Sequence, residues 1–257
     1  MPIVCLPGLT RTAADFDVIA QRLSRQDRPV IALDYRGRGL SEYDSEPAKY
    51  NVQVELADVV TVLETLRALP AIFLGTSRGG ILTMLLASVR PDAIRAAVLN
   101  DIGPVIEKAG LLRINGYVGK LPAPGDHEEA ANILRDVFGP QFPALGDADW
   151  LAAAHRTFRM EHGRLVPTYD VRIADTLKDV TPDSPLADLW PQFDALAGVP
   201  VMVVRGALSD LLSPATVVAM KARRPDMHVV EVPDQGHAPW LEDEAALAAI
   251  DRFLAPL

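Results

Sequence analysis

The stretch Gly75-Thr76-Ser77-Arg78-Gly79-Gly80 lies between two apolar segments of different character. Residues 71–74 have the length and composition of a buried strand, and residues 81–88 are helix-forming. A glycine-flanked serine between a strand and a helix is typical of a nucleophile elbow, a sharp turn that exposes the serine hydroxyl. Because this short pattern also arises by chance, the serine could instead occupy an ordinary turn, and the rest of the chain must decide.

The composition indicates a globular chain with one α/β domain that carries an insertion, or with two small domains. Of its 257 residues, 49% are hydrophobic, and the formal net charge is −9. That charge disfavours nucleic acid as a partner and, more weakly, anionic membranes. Residues 1–6 lack the marks of a signal peptide, no apolar run reaches membrane-spanning length, and the single cysteine, Cys5, allows no internal disulfide. We therefore expect a cytoplasmic protein in which Cys5 is a core residue.

Predicted strands and helices alternate before Asp101 and again after residue 200. The predicted strands are residues 2–6, 29–33, 71–74, 94–100, 200–205 and 228–232. The predicted helices are residues 13–23, 52–69, 81–88, 214–221 and 244–254. This alternation predicts an α/β fold, a doubly wound and mostly parallel sheet with helices on both faces.

Two segments that precede the elbow in the sequence, a glycine-rich turn and a helix, are interpreted as structural elements. The glycine-rich turn at residues 34–41 is interpreted as structural, because its glycines permit positive φ and Asp34 can accept backbone N–H bonds. In the predicted helix at residues 52–69, an apolar stripe leaves Glu55 and Asp58 outside it.

The alternation of predicted strands and helices stops after Asp101. Residues 103–190 contain helical patches, many prolines and no convincing strand. The best helical candidates there are residues 107–116, 128–138 and 149–161. Because aromatic residues also occur in this region, we interpret it as a helical insertion and not as a linker. The predicted core domain therefore consists of residues 1–102 and 191–257.

Two loops downstream of Ser77 carry residues that could activate its hydroxyl. A serine nucleophile needs a base to take its proton and a carboxylate to orient that base, and in such sheets reactive groups gather at the carboxyl ends of strands. Asp210 and His237 follow the last two predicted strands, so we predict Ser77 as nucleophile, His237 as base and Asp210 as orienting acid. His237 could instead be a loop residue and Asp210 a capping residue. Asp101, which also ends a strand, competes with Asp210.

The tetrahedral intermediate of acyl transfer requires two N–H donors beside the serine. The backbone N–H of Arg78 is the first candidate, and the loop after the first strand should supply the second. Pro7 in that loop has no N–H, so we predict Leu9, which could also simply line the pocket. The Arg78 side chain could bind a substrate or pair with acidic residues, and Trp240 is the second candidate substrate-binding residue.

Five segments together resemble the α/β-hydrolase fold family, and they span nearly the whole chain in the family's order. They are residues 6–10, 34–41, 75–80, 206–210 and 236–242. The resemblance implies a helical cap domain over the site, which fits residues 103–190.

The sequence departs from the family's pattern at three places. Pro7 stands where the family usually has histidine. No antiparallel hairpin precedes the first strand, so residues 30–33 form an edge strand or the native start lies upstream. An arginine after the nucleophile is more familiar from dehalogenases and epoxide hydrolases of this fold, which use aspartate where this chain has Ser77. A serine there favours acyl transfer to water.

The sequence therefore predicts a serine hydrolase, a carboxylesterase of small carboxylic esters, that works through an acyl-enzyme and uses no cofactor or metal. A lactonase or a carbon–carbon bond hydrolase would use the same triad, and a ligand-binding receptor that kept the fold is the remaining alternative. The predicted partner is a small-molecule substrate, without nucleic acid or membrane, and the chain is expected to be a monomer or homodimer.

Overall fold

The computed structural model describes residues 1–186 and 188–257, so Ala187, which falls in the predicted helical insertion, lies outside the described residues. The strands of the described residues are β1 (Ile3–Leu6), β2 (Val30–Ala32), β3 (Ala71–Thr76), β4 (Ile94–Asn100), β5 (Phe158–Glu161), β6 (Arg164–Pro167), β7 (Val201–Gly206) and β8 (His228–Val232).

Helices connect these strands. The α-helices of the described residues are α1 (Asp17–Ser24), α2 (Val52–Thr65), α3 (Arg78–Val89), α4 (Lys108–Tyr117), α5 (His127–Phe138), α6 (Asp147–Thr157), α7 (Trp190–Asp194), α8 (Pro214–Arg223) and α9 (Glu244–Leu254). Short 3₁₀ helices cover Ala13–Phe16, Pro47–Lys49, Pro91–Ala93, Gly139–Gln141 and Val171–Leu177. Within the described part of the chain, no helix combines the length and the apolar character needed to cross a bilayer.

One parallel sheet organises the described residues, in the strand order β2-β1-β3-β4-β7-β8. The prediction of a doubly wound parallel sheet is confirmed. β2 lies at one edge, and the carboxyl ends of β3, β4, β7 and β8 lie side by side at one end of the sheet. Residues that follow these four strands can therefore meet.

The core lies on both faces of the sheet because successive strand residues point to opposite sides. In β1, Ile3 and Cys5 belong to the apolar cluster that includes α1 and α9, whereas Val4 and Leu6 belong to the cluster that includes α2, α3 and α8. Burial raises the pKa of the Cys5 thiol to about 12. Cys5 is therefore an inert core residue, as its position in an apolar strand suggests.

Residues between β4 and β7 bury an apolar cluster of their own. Its members come from α5, α6, the connection between them and the hairpin that follows, and they include Ala130, Leu134, Phe142, Trp150, Ala154, Phe158 and Leu165. The two ends of this segment meet, since the N–H of Leu189 donates to the carbonyl oxygen of Pro104 at 2.7 Å.

Two local predictions differ from the structure. β5 and β6 form an antiparallel hairpin in the region where no strand was expected, and β5 occupies the end of a predicted helix. These strands have four residues each, too few for a periodic pattern, and His162 and Gly163 turn between them with positive φ. In addition, α2 ends at Thr65 and not at residue 69, because Arg67 adopts a left-handed φ of 52°.

Candidate active site

The turn between β3 and α3 holds Ser77 in a strained backbone conformation. Its φ is 51°, which is uncommon for any residue other than glycine. The turn also requires very close packing. A Cβ on Gly79 would lie 2.0 Å from the carbonyl oxygen of Leu6, and a Cβ on Gly75 would lie 2.5 Å from the carbonyl carbon of Gly79. Only glycine fits at these two positions, and Ser77 is held at the carboxyl end of β3.

Ser77 contacts a histidine from the far end of the chain. Its Oγ lies 2.8 Å from Nε2 of His237, which follows β8, and Nδ1 of His237 lies 2.8 Å from Oδ2 of Asp101. A carboxylate can only accept a hydrogen bond, so Nδ1 must carry the proton in this arrangement. Nε2 is then free to accept the proton of the Ser77 hydroxyl, which is the arrangement that activates a serine.

Asp101 is fully buried directly after β4, and donors surround its carboxylate. The N–H of Gly206 donates to Oδ1 at 2.8 Å, and the hydroxyl of Ser209 donates to Oδ2 at 2.6 Å. Together with the His237 ring, these donors compensate for the loss of water around the charge. An ionised carboxylate can therefore be buried here and hold the imidazole in one orientation.

Asp210 does not occupy the predicted position beside His237. Nε and Nη2 of Arg113, in α4, donate to its two carboxylate oxygens at 2.6 and 3.0 Å. Burial raises the pKa of Asp210, but hydrogen bonds from Arg113 and Gln141 outweigh it, so the pKa lies below its ordinary value. The structure thus corrects the prediction, because Asp101, the competing candidate, contacts His237 while the Arg113 fork binds Asp210.

The two predicted oxyanion donors lie on either side of Ser77. Arg78 follows it at the start of α3, and the loop with Leu9 approaches it closely, since a Cβ on Gly8 would lie 3.9 Å from the Cβ of Ser77. Within the residues that the structure describes, neither the Leu9 N–H nor the Arg78 N–H donates to a protein acceptor. Their role as oxyanion donors remains a prediction.

A cavity of about 140 Å³ borders Ser77 and His237. Its apolar walls come from both halves of the chain and include Leu9, Ile114, Tyr117, Leu134, Phe138, Phe142, Trp150, Trp240 and Leu241. Trp240 is thus part of the wall of the cavity that borders Ser77. The Arg78 side chain is directed elsewhere, since its Nε donates to Oε2 of Glu55 at 2.7 Å.

Two ion pairs form part of the polar wall of the cavity. Arg11 donates to both carboxylate oxygens of Asp15 at 2.6 and 2.5 Å, and Arg156 donates to Glu242 at 2.9 Å. Their formal charges cancel, so this wall offers hydrogen-bonding groups without a large net charge. Among the described residues, no cluster of three or more histidine, cysteine, aspartate or glutamate side chains could hold a metal ion.

Sequence reasoning missed several residues that support the site. Ser209 lies inside the segment 206–210 that resembles the family, but nothing in that segment indicates that the Ser209 hydroxyl donates to Asp101. Gln141 comes from the predicted insertion, and its side-chain oxygen accepts a hydrogen bond from the N–H of His237 at 3.2 Å. Glu55, placed outside the apolar stripe of its helix, is fully buried. Only the tertiary fold brings these side chains to the site.

Comparison with known proteins gives consistent results. The model of the alpha/beta hydrolase family matches residues 3–250. A 3-hydroxybutyrate-oligomer hydrolase from Cupriavidus necator is 36% identical to this chain, over 98% of this chain and 87% of the relative. A 2-(acetamidomethylene)succinate hydrolase from Mesorhizobium japonicum is 29% identical, over 96% of this chain and 85% of the relative.

Solved structures resemble the chain over its full length. The crystal structure of an alpha/beta hydrolase from Novosphingobium aromaticivorans is 41% identical with a TM-score of 0.93, and the match covers 100% of this chain and 90% of that one. An E-2-(acetamidomethylene)succinate hydrolase is 27% identical with a TM-score of 0.82, and the match covers 99% of this chain and 92% of that one.

Proposed function

This chain belongs to the alpha/beta hydrolase family, and we propose that it is a serine hydrolase of small carboxylic esters. The observation that carries the proposal is the line of two 2.8 Å contacts from Ser77 through His237 to Asp101. The named hydrolases among the relatives support the reaction class. The proposal replaces Asp210 with Asp101 as the orienting acid.

In the proposed mechanism, Oγ of Ser77 attacks the ester carbonyl carbon while Nε2 of His237 takes its proton. The backbone N–H groups of Leu9 and Arg78 donate to the oxyanion that forms. His237 then protonates the leaving alcohol, the C–O bond breaks, and the acyl group remains on Ser77. Water then attacks the acyl carbon while His237 takes its proton. The bond from that carbon to Oγ breaks, His237 returns the proton to Oγ of Ser77, and the acid is released. Asp101 holds the His237 tautomer and stabilises the imidazolium.

We propose short esters of hydroxy acids as the substrate class. The relative from Cupriavidus necator is named for 3-hydroxybutyrate oligomers, whose units are joined by carboxylic ester bonds. The cavity combines aromatic walls with the Arg11–Asp15 and Arg156–Glu242 pairs, which can hydrogen-bond to carbonyl and hydroxyl groups.

We also propose that residues 103–190 act as a cap that sets substrate preference. Tyr117, Phe138 and Trp150 from this segment line the cavity opposite the residues that follow the sheet strands. Replacing Phe138 by Ala should shift the preference among p-nitrophenyl esters toward longer acyl chains. An unchanged chain-length profile would contradict this role.

The first test is intact mass after treatment with a fluorophosphonate. The Ser77 oxygen should displace fluoride from phosphorus and leave one adduct on the wild type, and Ser77→Ala should take up none. Initial rates would then be compared for p-nitrophenyl butyrate, a methyl ester of the 3-hydroxybutyrate dimer, a lactone and a vinylogous diketone. We expect the two linear esters to be the best substrates.

Other outcomes would favour the alternative functions. If only the diketone is cleaved fast, the enzyme is a carbon–carbon bond hydrolase. If only the lactone is cleaved fast, it is a lactonase. A folded wild type that forms no adduct and hydrolyses nothing would contradict the serine hydrolase and favour a binding function.

A further inference from the structure

Three charged residues form a network beneath the elbow. Glu55, on α2, lies between two arginines. Its Oε1 is 2.8 Å from Nη2 of Arg38, and its Oε2 accepts from Nε of Arg78 at 2.7 Å. The side chains of Arg38 and Glu55 are fully buried, and that of Arg78 is 16% exposed. Charges removed from water in this way are costly unless their geometry is well satisfied.

The network touches both segments that carry the predicted oxyanion donors. Nε of Arg38 donates to the carbonyl oxygen of Leu9 at 2.9 Å, which fixes the loop after β1. The Arg78 side chain ties the first residue of α3 to the same Glu55 carboxylate. One carboxylate on a third element therefore links the residues whose N–H groups must converge on a single oxygen.

The network also carries a formal charge of +1, since two guanidiniums share one carboxylate. Burial lowers the pKa of Arg38, Glu55 opposes that shift, and the charge of Arg78 adds to it. Arginine nevertheless stays protonated in proteins. Nη2 of Arg78 is buried and has no hydrogen-bond partner within the described residues. The same holds for Nη2 of Arg38 and Oε1 of Glu55, so their 2.8 Å contact is an ion pair without hydrogen-bond geometry. The excess is thus positive, the sign that stabilises a developing oxyanion.

We propose that Glu55 is a positioning residue that holds the oxyanion hole in its active geometry through Arg38 and Arg78. This inference rests on the proposed hydrolase function. Glu55 touches no substrate. Its effect is to fix the distance and direction of the Leu9 and Arg78 N–H groups, and with them the stabilisation of the transition state.

The chain offers a matched control on the same helix. Asp58 lies three residues after Glu55 and accepts a two-pronged hydrogen bond from Arg36, at 2.6 and 2.7 Å. It thus also joins α2 to the turn at residues 34–41, but neither Asp58 nor the Arg36 side chain contacts Leu9 or Arg78 within the described residues. Asp58→Asn weakens a more exposed ion pair on the same helix, and the side chains of that pair do not contact the oxyanion donors.

The test compares Glu55→Gln with Asp58→Asn on a p-nitrophenyl ester. For Glu55→Gln we expect kcat to fall roughly 10- to 100-fold with KM nearly unchanged, because misplaced donors weaken transition-state binding more than substrate binding. Oγ of Ser77 adds to the carbonyl carbon of a trifluoromethyl ketone, and the product carries a tetrahedral oxyanion. The affinity for this inhibitor should fall by the same factor. Asp58→Asn should alter neither value.

A second variant guards against misfolding, since Glu55→Gln leaves Arg38 buried without its counter-charge. Arg78→Met keeps the Arg38–Glu55 pair and the backbone N–H of residue 78. We expect a decrease in kcat of about 10-fold, smaller than the loss of a whole donor, and Arg78→Lys should recover part of it. Far-UV circular dichroism and urea unfolding establish that each variant is folded.

The outcomes separate this inference from the proposed function. If the wild type neither hydrolyses the ester nor binds the ketone, both fail together. If the wild type is active and the folded Glu55 and Arg78 variants match Asp58→Asn in kcat and ketone affinity, only the inference is overturned. If Glu55→Gln does not fold, Arg78→Met decides alone.

Discussion

Asp101 and Asp210 follow adjacent strands of the same sheet, yet their surroundings differ. Asp101 directly follows β4, is fully buried, and contacts His237 and the Ser209 hydroxyl. Asp210, in the loop after β7, is 28% exposed on its side chain and is bound by Arg113. In the sequence, either carboxylate meets the criterion for the orienting acid, which is an acidic residue that follows a strand. The donors that surround each carboxylate decide which one pairs with the histidine.

The largest effect should come from exchanging the two acids for amides. Asp101→Asn should lower kcat about 10³- to 10⁴-fold, because an amide no longer enforces the His237 tautomer. Asp210→Asn should keep kcat within about threefold, since its pair with Arg113 is partly exposed and Asp101, not Asp210, contacts the His237 ring. Steady-state kinetics on the same ester measures both. A larger loss in Asp210→Asn would reverse the assignment.

A smaller effect is expected from a donor to Asp101. Ser209→Ala removes the 2.6 Å hydrogen bond to Oδ2. The unfolding free energy should fall by about 1.5–3 kcal/mol, the usual range for a hydrogen bond to a charged group, and kcat should fall several-fold. Ser213 caps α8 through its hydroxyl and serves as the control. Ser213→Ala should cost about 1 kcal/mol and leave kcat unchanged. Equal kcat values in both variants would contradict a supporting role for Ser209.

The smallest effect concerns Asp210 and pH. Its pKa is lower in the folded state, so the pair with Arg113 stabilises the fold above the unfolded pKa, and this contribution is lost as the pH falls through the folded pKa. Arg113→Met should therefore lower the unfolding free energy by at most about 1 kcal/mol at pH 7. The difference from wild type should shrink below pH ~4, near the ordinary pKa of aspartate. Urea unfolding at pH 7, 5, 4 and 3 measures it, and a difference as large at pH 3 as at pH 7 would contradict the assignment.

The sequence predicts the elbow and the sheet because both depend on local patterns. Glycines at positions 75 and 79, an apolar strand before them and a helix after them are enough to locate Ser77. The position of His237 after the last strand likewise depends only on chain order and the known geometry of parallel sheets. The structure brings these two residues together, while their catalytic roles remain predictions.

The choice of acid depends on side chains that no local pattern locates. Arg113 lies in a region where the sequence indicates helices but does not indicate how they pack. The ion pair between Arg113 and Asp210 could therefore not be predicted. Glu55 illustrates the same limit in a well-predicted helix. A glutamate outside the apolar stripe of a helix is expected to be solvent-exposed. Glu55 is buried because Arg38 and Arg78 pair with it in the fold, and the sequence does not indicate these contacts.

The hydrogen bond between Leu189 and Pro104 closes the segment that joins β4 to β7 at its base. A loop whose ends already touch can be lengthened, shortened or replaced with little strain on the strands that flank it. In this chain, Ser77 and His237 lie outside that loop, while much of the cavity wall lies inside it. A loop of different sequence should therefore change the cavity wall while Ser77 and His237 keep their places after the sheet strands. A grafted loop would have to replace one contact, since Gln141 in the loop accepts a hydrogen bond from the N–H of His237.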